Sequence, residues 1–337
     1  MITPIQTLIA YLLDIAFGDP RWLPHPVVCI GRGIGVLEKM LRSYAKNALP
    51  EKIGGAIIAV VVIAGTYILS TIFITVSYRI SDISGTVVTI FLAYTTLATR
   101  SLGDVAYKII YSLKERSISE ARKNLSMIVG RDTESLEEKE ILRASVESIA
   151  ENTSDGIVAP LLYLAVGGVP AAMAYKAVNT LDSMLGYKNE RYINIGWASA
   201  RIDDIVNFIP ARITGVLIAA SVFVLSLIRR LKPASTSFSR FSLPTSHFSL
   251  KIMLSDGRKH PSPNAGIPEA AMAGALGVRL GGEASYSGIK DFKPYIGEGM
   301  NTLDASKVED AVRIMYTSSL LMLLFTLSVQ ILKGLFI

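Results

Sequence analysis

The chain has 337 residues, half of them hydrophobic, with a mean hydropathy of +0.42 and a net charge of +6. That composition argues against an ordinary soluble domain and for a polytopic membrane protein, because several apolar runs approach the ~20 residues that span a bilayer. A single cysteine, Cys29, excludes an intramolecular disulfide framework and any cysteine-rich metal site. The histidines are His25, His247 and His260, and no zinc-protease, CxxC or Walker A pattern occurs.

In chain order, Ile2–Phe17 is apolar but short and carries Asp14, which predicts a marginal span or a buried helix. It lacks a basic leader and a small-residue cleavage site and reads as a retained anchor. Pro20, Pro24 and Pro26 then forbid a regular helix locally. Arg21, His25 and Arg32 are expected on an irregular loop near the membrane surface, as an anion-binding loop or as headgroup anchors. Ile53–Val76 is the clearest transmembrane helix, and Val87–Ala98 is a second that extends back through Ser84. Basic residues before Ile53 and after Arg100 place both flanking loops in the cytoplasm, with the Arg79–Asp82 turn outside.

Arg100–Asp155 reads as a cytoplasmic helical segment. Gly130 is expected to end one helix, and Asp132 or Thr133 to cap the next beside Arg131. Ser135 with Glu138 suggests a capping box. The stretch RASVESIAENTSD places Arg143, Glu147 and Glu151 on one helical face, with Leu142, Val146 and Ile149 roughly opposite. Asp155 joins the polar stripe if the helix survives Asn152–Ser154. An ion-pair ladder is the plain explanation of such spacing. The density of polar clusters that follow favours a site.

An apolar run, Ile157–Tyr175, is interrupted by Pro160, Gly167–Gly168 and Pro170. Lys176, Asn179, Asp182 and Ser183 then share a face, and Arg201, Asp204 and Asn207 repeat the pattern beside Asp203. Arg212 follows Pro210 at the start of the apolar run Ile213–Ile228. Polar groups so dense between apolar runs are costly unless they pair or bind something. The breaks favour a folded-back, non-spanning pair that keeps this stripe on the cytoplasmic side.

Residues 231–255, rich in Ser and Thr, read as a mobile linker containing a solvated His247. Lys259, His260, Ser262 and Asn264 fall on a proline-constrained loop. Pro268 and Glu269 open a small-residue helix, Ala270–Leu276, whose N-terminus suits an anion. Gly281–Gly282 permits close backbone approach to a ligand. Tyr316–Ile337 is the terminal membrane helix. The chain therefore reads as one domain, residues 1–337. Its expected fold is an all-α polytopic membrane protein with about four to six embedded helices and cytoplasmic helical loops.

The blocks GDPRWLPHPV, IVGRDT, RASVESIAENTSDGIVAP, YKAVNTLDSMLGYKNERY, WASARIDDIVNFIPAR and DGRKHPSPNAGIPEAAMAGALGVRLGG resemble, in this order, the signature blocks of the CbiB/CobD family of cobalamin biosynthesis. The resemblance covers the chain from Asp14 to about Gly282. It implies an integral membrane enzyme of the prokaryotic plasma membrane. That enzyme joins the free carboxylate of adenosylcobyric acid to the amine of (R)-1-amino-2-propanol O-phosphate, with ATP driving the amide bond. Implied partners are the corrinoid, the aminopropanol phosphate, the lipid bilayer and other enzymes of the pathway; nothing points to nucleic acid.

Such a reaction needs an activated carboxylate, most simply an acyl phosphate formed from ATP, and phosphoryl transfer rests on positioning and charge neutralisation by Mg²⁺ and cationic side chains. For Mg²⁺ the first candidates are Glu147, Glu151 and Asp155, then Asp203 and Asp204. The anionic substrates call for Arg21, Arg32, Arg131, Arg143, Lys176, Arg201, Arg212 and Lys259, with His25, Asn179, Asp182, Asn207, Ser262 and Asn264 as polar contacts. Glu147, Glu151, His260 and Lys176 are the catalytic candidates, His25 or His260 or a carboxylate serving as proton acceptor. With no Walker A loop, an ATP site is of another kind. Two readings of other classes stay open: a transporter using the intramembrane acids, and a non-catalytic sensor or scaffold like the related AmpE branch.

Overall fold

The computed structural model describes residues 2–336 except 21, 23–24, 45–46, 188, 232–244 and 287. Five stretches are long and apolar enough to cross a membrane: Ala48–Ile80, Asp82–Lys114, Glu138–Leu185, Phe208–Leu231 and Ala305–Phe336. The fold is helical and polytopic, as composition predicted. The exception among the described residues is a two-stranded antiparallel hairpin, Leu280–Tyr286 with Ile289–Ile296. The chain forms two compact units, one of Met1–Ala98, Ala159–Asn207 and Leu323–Ile337, the other of Thr99–Val158 and Phe208–Met322.

In the first unit, α1 (Pro4–Phe17) begins at a capping box in which Thr3 and Gln6 satisfy each other's backbone N–H groups. It is apolar but, at 14 residues, too short for a span, and it buries Asp14. The proline stretch that follows α1 gives way sooner than expected: α2 (Pro26–Tyr44) already starts at the third proline, because proline is well placed in a first helical turn. Arg32 therefore lies on a helix, not on the predicted loop. α3 (Ala48–Ile80) and α4 (Asp82–Tyr94) follow, with Ser81 accepting from the Ser84 N–H as the cap between them. Ile34, Ile58, Leu181, Leu185 and Ile195 make the buried core of this unit.

α8 (Ala159–Leu185) holds the predicted interruption as a single break at Gly168, whose φ of 68° leaves the helical region. Pro170 supplies no N–H to the Val166 carbonyl. Lys333, near the end of α13 (Ala305–Phe336), takes that role, donating to the Ala165 and Val166 oxygens at 2.9 and 2.8 Å. Both apolar runs flanking the polar stripe thus lie in helices that are long enough to cross, and length does not force the folded-back arrangement. Lys333→Met is expected to lower stability by about 1–3 kcal/mol, since two carbonyls lose their donor in apolar surroundings. A thermal midpoint in detergent unchanged from wild type would contradict this.

The second unit is arranged around α12 (Gly266–Leu276), every residue of which is buried. Small side chains let neighbours come close: a Cβ on Gly274 would lie 2.9 Å from Ser249 of α11 (Ser246–Asp256). α10 (Phe208–Leu231) and α7 (Glu138–Thr153) also pack on α12, and α5 (Thr99–Lys114) with α6 (Ile118–Leu125) packs on α7.

Several local expectations are corrected here. α11 takes up the C-terminal part of the predicted linker, residues 246–255, capped by Thr245, and residues 232–244 lie outside the described residues. His247 is solvated as expected, but on that helix. α7 starts at a capping box of Glu137 and Glu140, two residues beyond the predicted Ser135–Glu138 pair, because a carboxylate accepts the N3 N–H as a hydroxyl does. Helix α6 ends at Leu125, before Gly130, and Asp132 caps no helix. Its carboxylate instead accepts from Ser285 Oγ and Gly288 N–H, both at 2.8 Å, joining the 126–137 loop to the hairpin.

Candidate functional site

A buried charged cluster lies in the second unit, around Glu147. The helical period of α7 places Arg143 one turn before it, Nε to Oε1 3.8 Å, as the sequence predicted. Glu147 Oε2 forms an ion pair with Arg131, and both side chains are buried. The loop carrying Arg131 is held by Ser148 Oγ donating to the Ile128 carbonyl (2.6 Å) and Arg122 Nε donating to the Leu136 carbonyl (2.9 Å).

The hairpin closes the cluster. A bulge falls at Gly281, whose φ of 85° suits glycine, and its N–H donates to Glu147 Oε1 at 2.9 Å. Gly282, paired with Lys293 across the hairpin, lies so near Arg143 that a Cβ would come within 2.6 Å of Nη1. Arg143 Nη2 donates to the Glu283 carbonyl. The glycine pair is therefore a point of close approach, here to Arg143 and Glu147.

On the other side are the 257–265 loop and α12. His260 Nδ1 accepts from the Ser262 N–H at 3.0 Å, and Nε2 faces Glu269 Oε1 at 3.7 Å. Accepting at Nδ1 leaves the proton of the neutral ring on Nε2, making that nitrogen a donor. Burial, then the nearby Lys293 charge, pushes His260 down to about 4. Glu269, enclosed on α12, moves the other way, well above the usual carboxylate range, through burial and then the neighbouring Glu147. Burial alone would raise Asp256 as well, but Lys259 (2.7 Å) and the Gly297 N–H (2.9 Å) outweigh it and lower it.

These shifts have opposite consequences for stability. A histidine lowered by folding stabilises fully above its unfolded value near 6.5, and that contribution is lost as pH falls towards 4. A carboxyl raised by folding stabilises at low pH and loses that contribution as pH rises. The stability difference between wild type and His260→Gln should thus shift against wild type between pH 6.5 and 4 and stay flat above 7. Parallel melting curves across that range would overturn the assignment.

Of the other predicted residues in this unit, Arg212 donates to Asn264 Oδ1 (2.7 Å) and to the Pro263 carbonyl (3.1 Å), bracing the loop that bears His260. Ser262 Oγ accepts from the N–H groups of Asn264 and Ala265. Glu151 is exposed one turn beyond Glu147, and Asp155 lies in a π-turn, Ser154–Val158, that continues α7.

The first unit holds the remaining candidates. Tyr175 donates to Asn207 Oδ1 and Asn207 Nδ2 donates to Asp203 Oδ1, both at 2.9 Å, while Tyr163 stacks on Tyr175. Arg201 pairs with Asp204 at 3.8 Å on the surface. Lys176, Asn179 and Asp182 are half-buried on α8. His25 faces Asp19 at 3.4 Å, Arg32 is exposed on α2, and Arg21 lies outside the described residues. A cavity of about 530 Å³ beside Arg79 and the α8 break is lined by none of the predicted residues.

The proposed metal set does not assemble around Glu147: both of its oxygens are engaged by guanidinium or amide donors. Among the described residues no three His, Cys, Asp or Glu side chains converge as a metal-holding group.

Sequence reasoning gave Glu269 and Lys293 no role. Glu269 is an ionisable residue inside the apolar run GIPEAAMAGAL, which is itself a signal. Lys293 could have been found through Ser287–Gly288, a turn signal between two short runs.

A family model described as "CobD/Cbib protein" matches residues 7–315. A relative from Geobacter metallireducens, "Cobalamin biosynthesis protein CobD", is 47% identical, with 94% of this chain and 93% of its own length covered. One of the same description from Pelobacter propionicus is 44% identical, covering 97% and 96%. "Cobalamin biosynthesis protein CbiB" of Salmonella typhimurium is 41% identical, covering 96% of each chain. No solved structure matches.

Proposed function

Because the chain belongs to the CobD/CbiB family, we propose that it serves cobalamin biosynthesis as a membrane-embedded amide ligase. It joins adenosylcobyric acid to (R)-1-amino-2-propanol O-phosphate at the expense of ATP, giving adenosylcobinamide phosphate. The observation that carries the reading is the match to cobalamin biosynthesis proteins along nearly the whole chain. The excess of cationic groups around Glu147 supports it, since a corrinoid carboxylate, a phosphomonoester and a nucleotide are all anionic.

In this reading Arg131 and Arg143 are oriented by Glu147, and with Lys293 they attract and neutralise the anionic substrates. Glu151 and Asp155 would hold Mg²⁺, which supplies charge neutralisation on the nucleotide phosphates. His260, donating from Nε2, orients a substrate oxygen and does not remove the amine proton. The 257–265 loop, braced by Arg212 and Asn264, fixes that ring in place.

Full-length protein in detergent, given adenosylcobyric acid, the aminopropanol phosphate, ATP and Mg²⁺, should yield the amide by mass detection and consume ATP with it. A null strain should accumulate cobyric acid and recover on cobinamide. Recovery only on some other compound would end the ligase reading. Uptake into vesicles without amide formation would favour a transporter.

A further inference from the structure

In the second unit three buried side-chain atoms of one cluster, Arg143 Nε, His260 Nε2 and Glu269 Oε2, have no hydrogen-bond partner among the described residues. Buried polar groups are almost always satisfied, so three of them beside the neighbouring carboxylates Glu147 and Glu269 call for an explanation. Their chemistry has a common sign. Arginine Nε always carries a hydrogen. The Ser262 N–H on Nδ1 puts the ring proton of His260 on Nε2. Glu269 is enclosed near Glu147, which holds Arg131 and the Gly281 N–H, while Arg143 Nε lies 3.8 Å from it, beyond hydrogen-bond reach. Two carboxylates in one enclosure do not both ionise readily, and Glu269, with no donor on Oε2 and only the His260 ring 3.7 Å away facing Oε1, keeps its proton there. The unsatisfied atoms are then all donors.

We propose that Arg143 Nε, His260 Nε2 and Glu269 Oε2 form a hydrogen-bond donor set for the anionic oxygens of a carboxylate or phosphate substrate, with Glu269 acting as a neutral acid. The identity of the ligand rests on the ligase reading above; the donor set itself does not. Arg131 and Lys293, close enough to act on both Glu269 and His260, offset the Glu147 charge that would repel an anion. The groups facing Glu269 are Glu147 and Glu151 from α7, Arg131 and His260 from the two loops, and Lys293 from the hairpin. On the remaining neighbours, Arg212 of α10 and Asp256 of α11 are taken up by Asn264 and by Lys259, and Glu283 of the hairpin is exposed.

The test is steady-state amide formation by the full chain in detergent, with each substrate varied in turn, for wild type, Glu269→Gln, Glu269→Ala and Arg143→Lys. A carboxamide keeps a donor and cannot take a proton. Glu269→Gln should stay within about tenfold of wild type, while Glu269→Ala and Arg143→Lys lose about 10²–10³-fold, the usual cost of a donor aimed at developing charge. A raised KM for adenosylcobyric acid alone assigns the set to the carboxylate, and one for the aminopropanol phosphate or ATP assigns it to a phosphate. Wild type should lose rate on the alkaline side as Glu269 ionises, and Glu269→Gln should not.

Glu269→Gln as inactive as Glu269→Ala, or an alkaline limb that survives in Glu269→Gln, overturns the proposal. If Glu269→Ala does not fold, Arg143→Lys and the pH profile of Glu269→Gln decide it. If wild type forms no amide, the ligase reading fails and the donor set is judged by binding alone. Millimolar inorganic phosphate or cobyric acid must then raise the melting temperature of wild type but not of Arg143→Lys; otherwise the proposal falls.

Discussion

Glu147→Gln is expected to cut amide formation by at least about 100-fold, the scale on which a misplaced reacting group is felt, and to destabilise the fold as well. The Arg131 side chain is 7% exposed and that of Glu147 is 2% exposed. Glutamine keeps the shape and removes the charge, which leaves Arg131 buried without its counter-ion. Breaking one side of such a pair costs about 3–5 kcal/mol, more than the pair itself contributes, because the remaining charge stays desolvated. The Gly281 N–H still finds an acceptor in the carboxamide, so the hairpin should remain in place. The cycle formed with Arg131→Met isolates the cause. The double variant should recover much of the melting temperature lost in Glu147→Gln, since neither charge is then stranded, and recover none of the activity. Additive losses in stability would mean that the two side chains do not share one enclosed site.

Gly281→Ala is expected to have the second-largest effect. At φ 85° an alanine is strained, and its Cβ would sit 2.4 Å from the Pro294 carbonyl oxygen, a backbone atom that cannot swing aside. Strain of this kind costs about 1–3 kcal/mol before the clash is counted. To relieve it the bulge must open, and the N–H that holds Glu147 Oε1 moves with it. Activity should therefore fall together with stability. Gly288→Ala is the internal control: its φ is 79°, yet a Cβ there meets nothing within 4 Å. It should cost about 1 kcal/mol, the strain alone, and leave amide formation near wild type. Equal losses in both variants would show that the bulge is not what positions Glu147.

Much of the fold was legible in the chain because hydrophobic period and length are local properties. The long apolar helices α3 and α13 follow from run length, and the break in α8 follows from Gly168 and Pro170. The pairing of Arg143 with Glu147 follows from the helical repeat alone. The expectations that failed were local choices with close competitors. Glu137 with Glu140 competes with Ser135 and Glu138 for the start of α7, and Pro26 can begin a helix as readily as it can continue an irregular loop. The hairpin was missed because its strands are short and only weakly patterned.

The sequence by itself determined that this chain is helical, apolar and multi-spanning, and that its block pattern is that of cobalamin biosynthesis proteins, since composition, periodicity and motif order are carried residue by residue. Only the tertiary structure decided which of many acids and bases meet. Arg131, Glu147, His260, Glu269 and Lys293 stand on a loop, a helix, a second loop, a second helix and a strand, up to 162 positions apart in the numbering from 131 to 293. Their convergence depends on a small-residue helix, α12, thin enough to be packed on all sides, and on a glycine bulge that lets backbone reach Glu147. Neither effect is written in the spacing of the charged residues themselves.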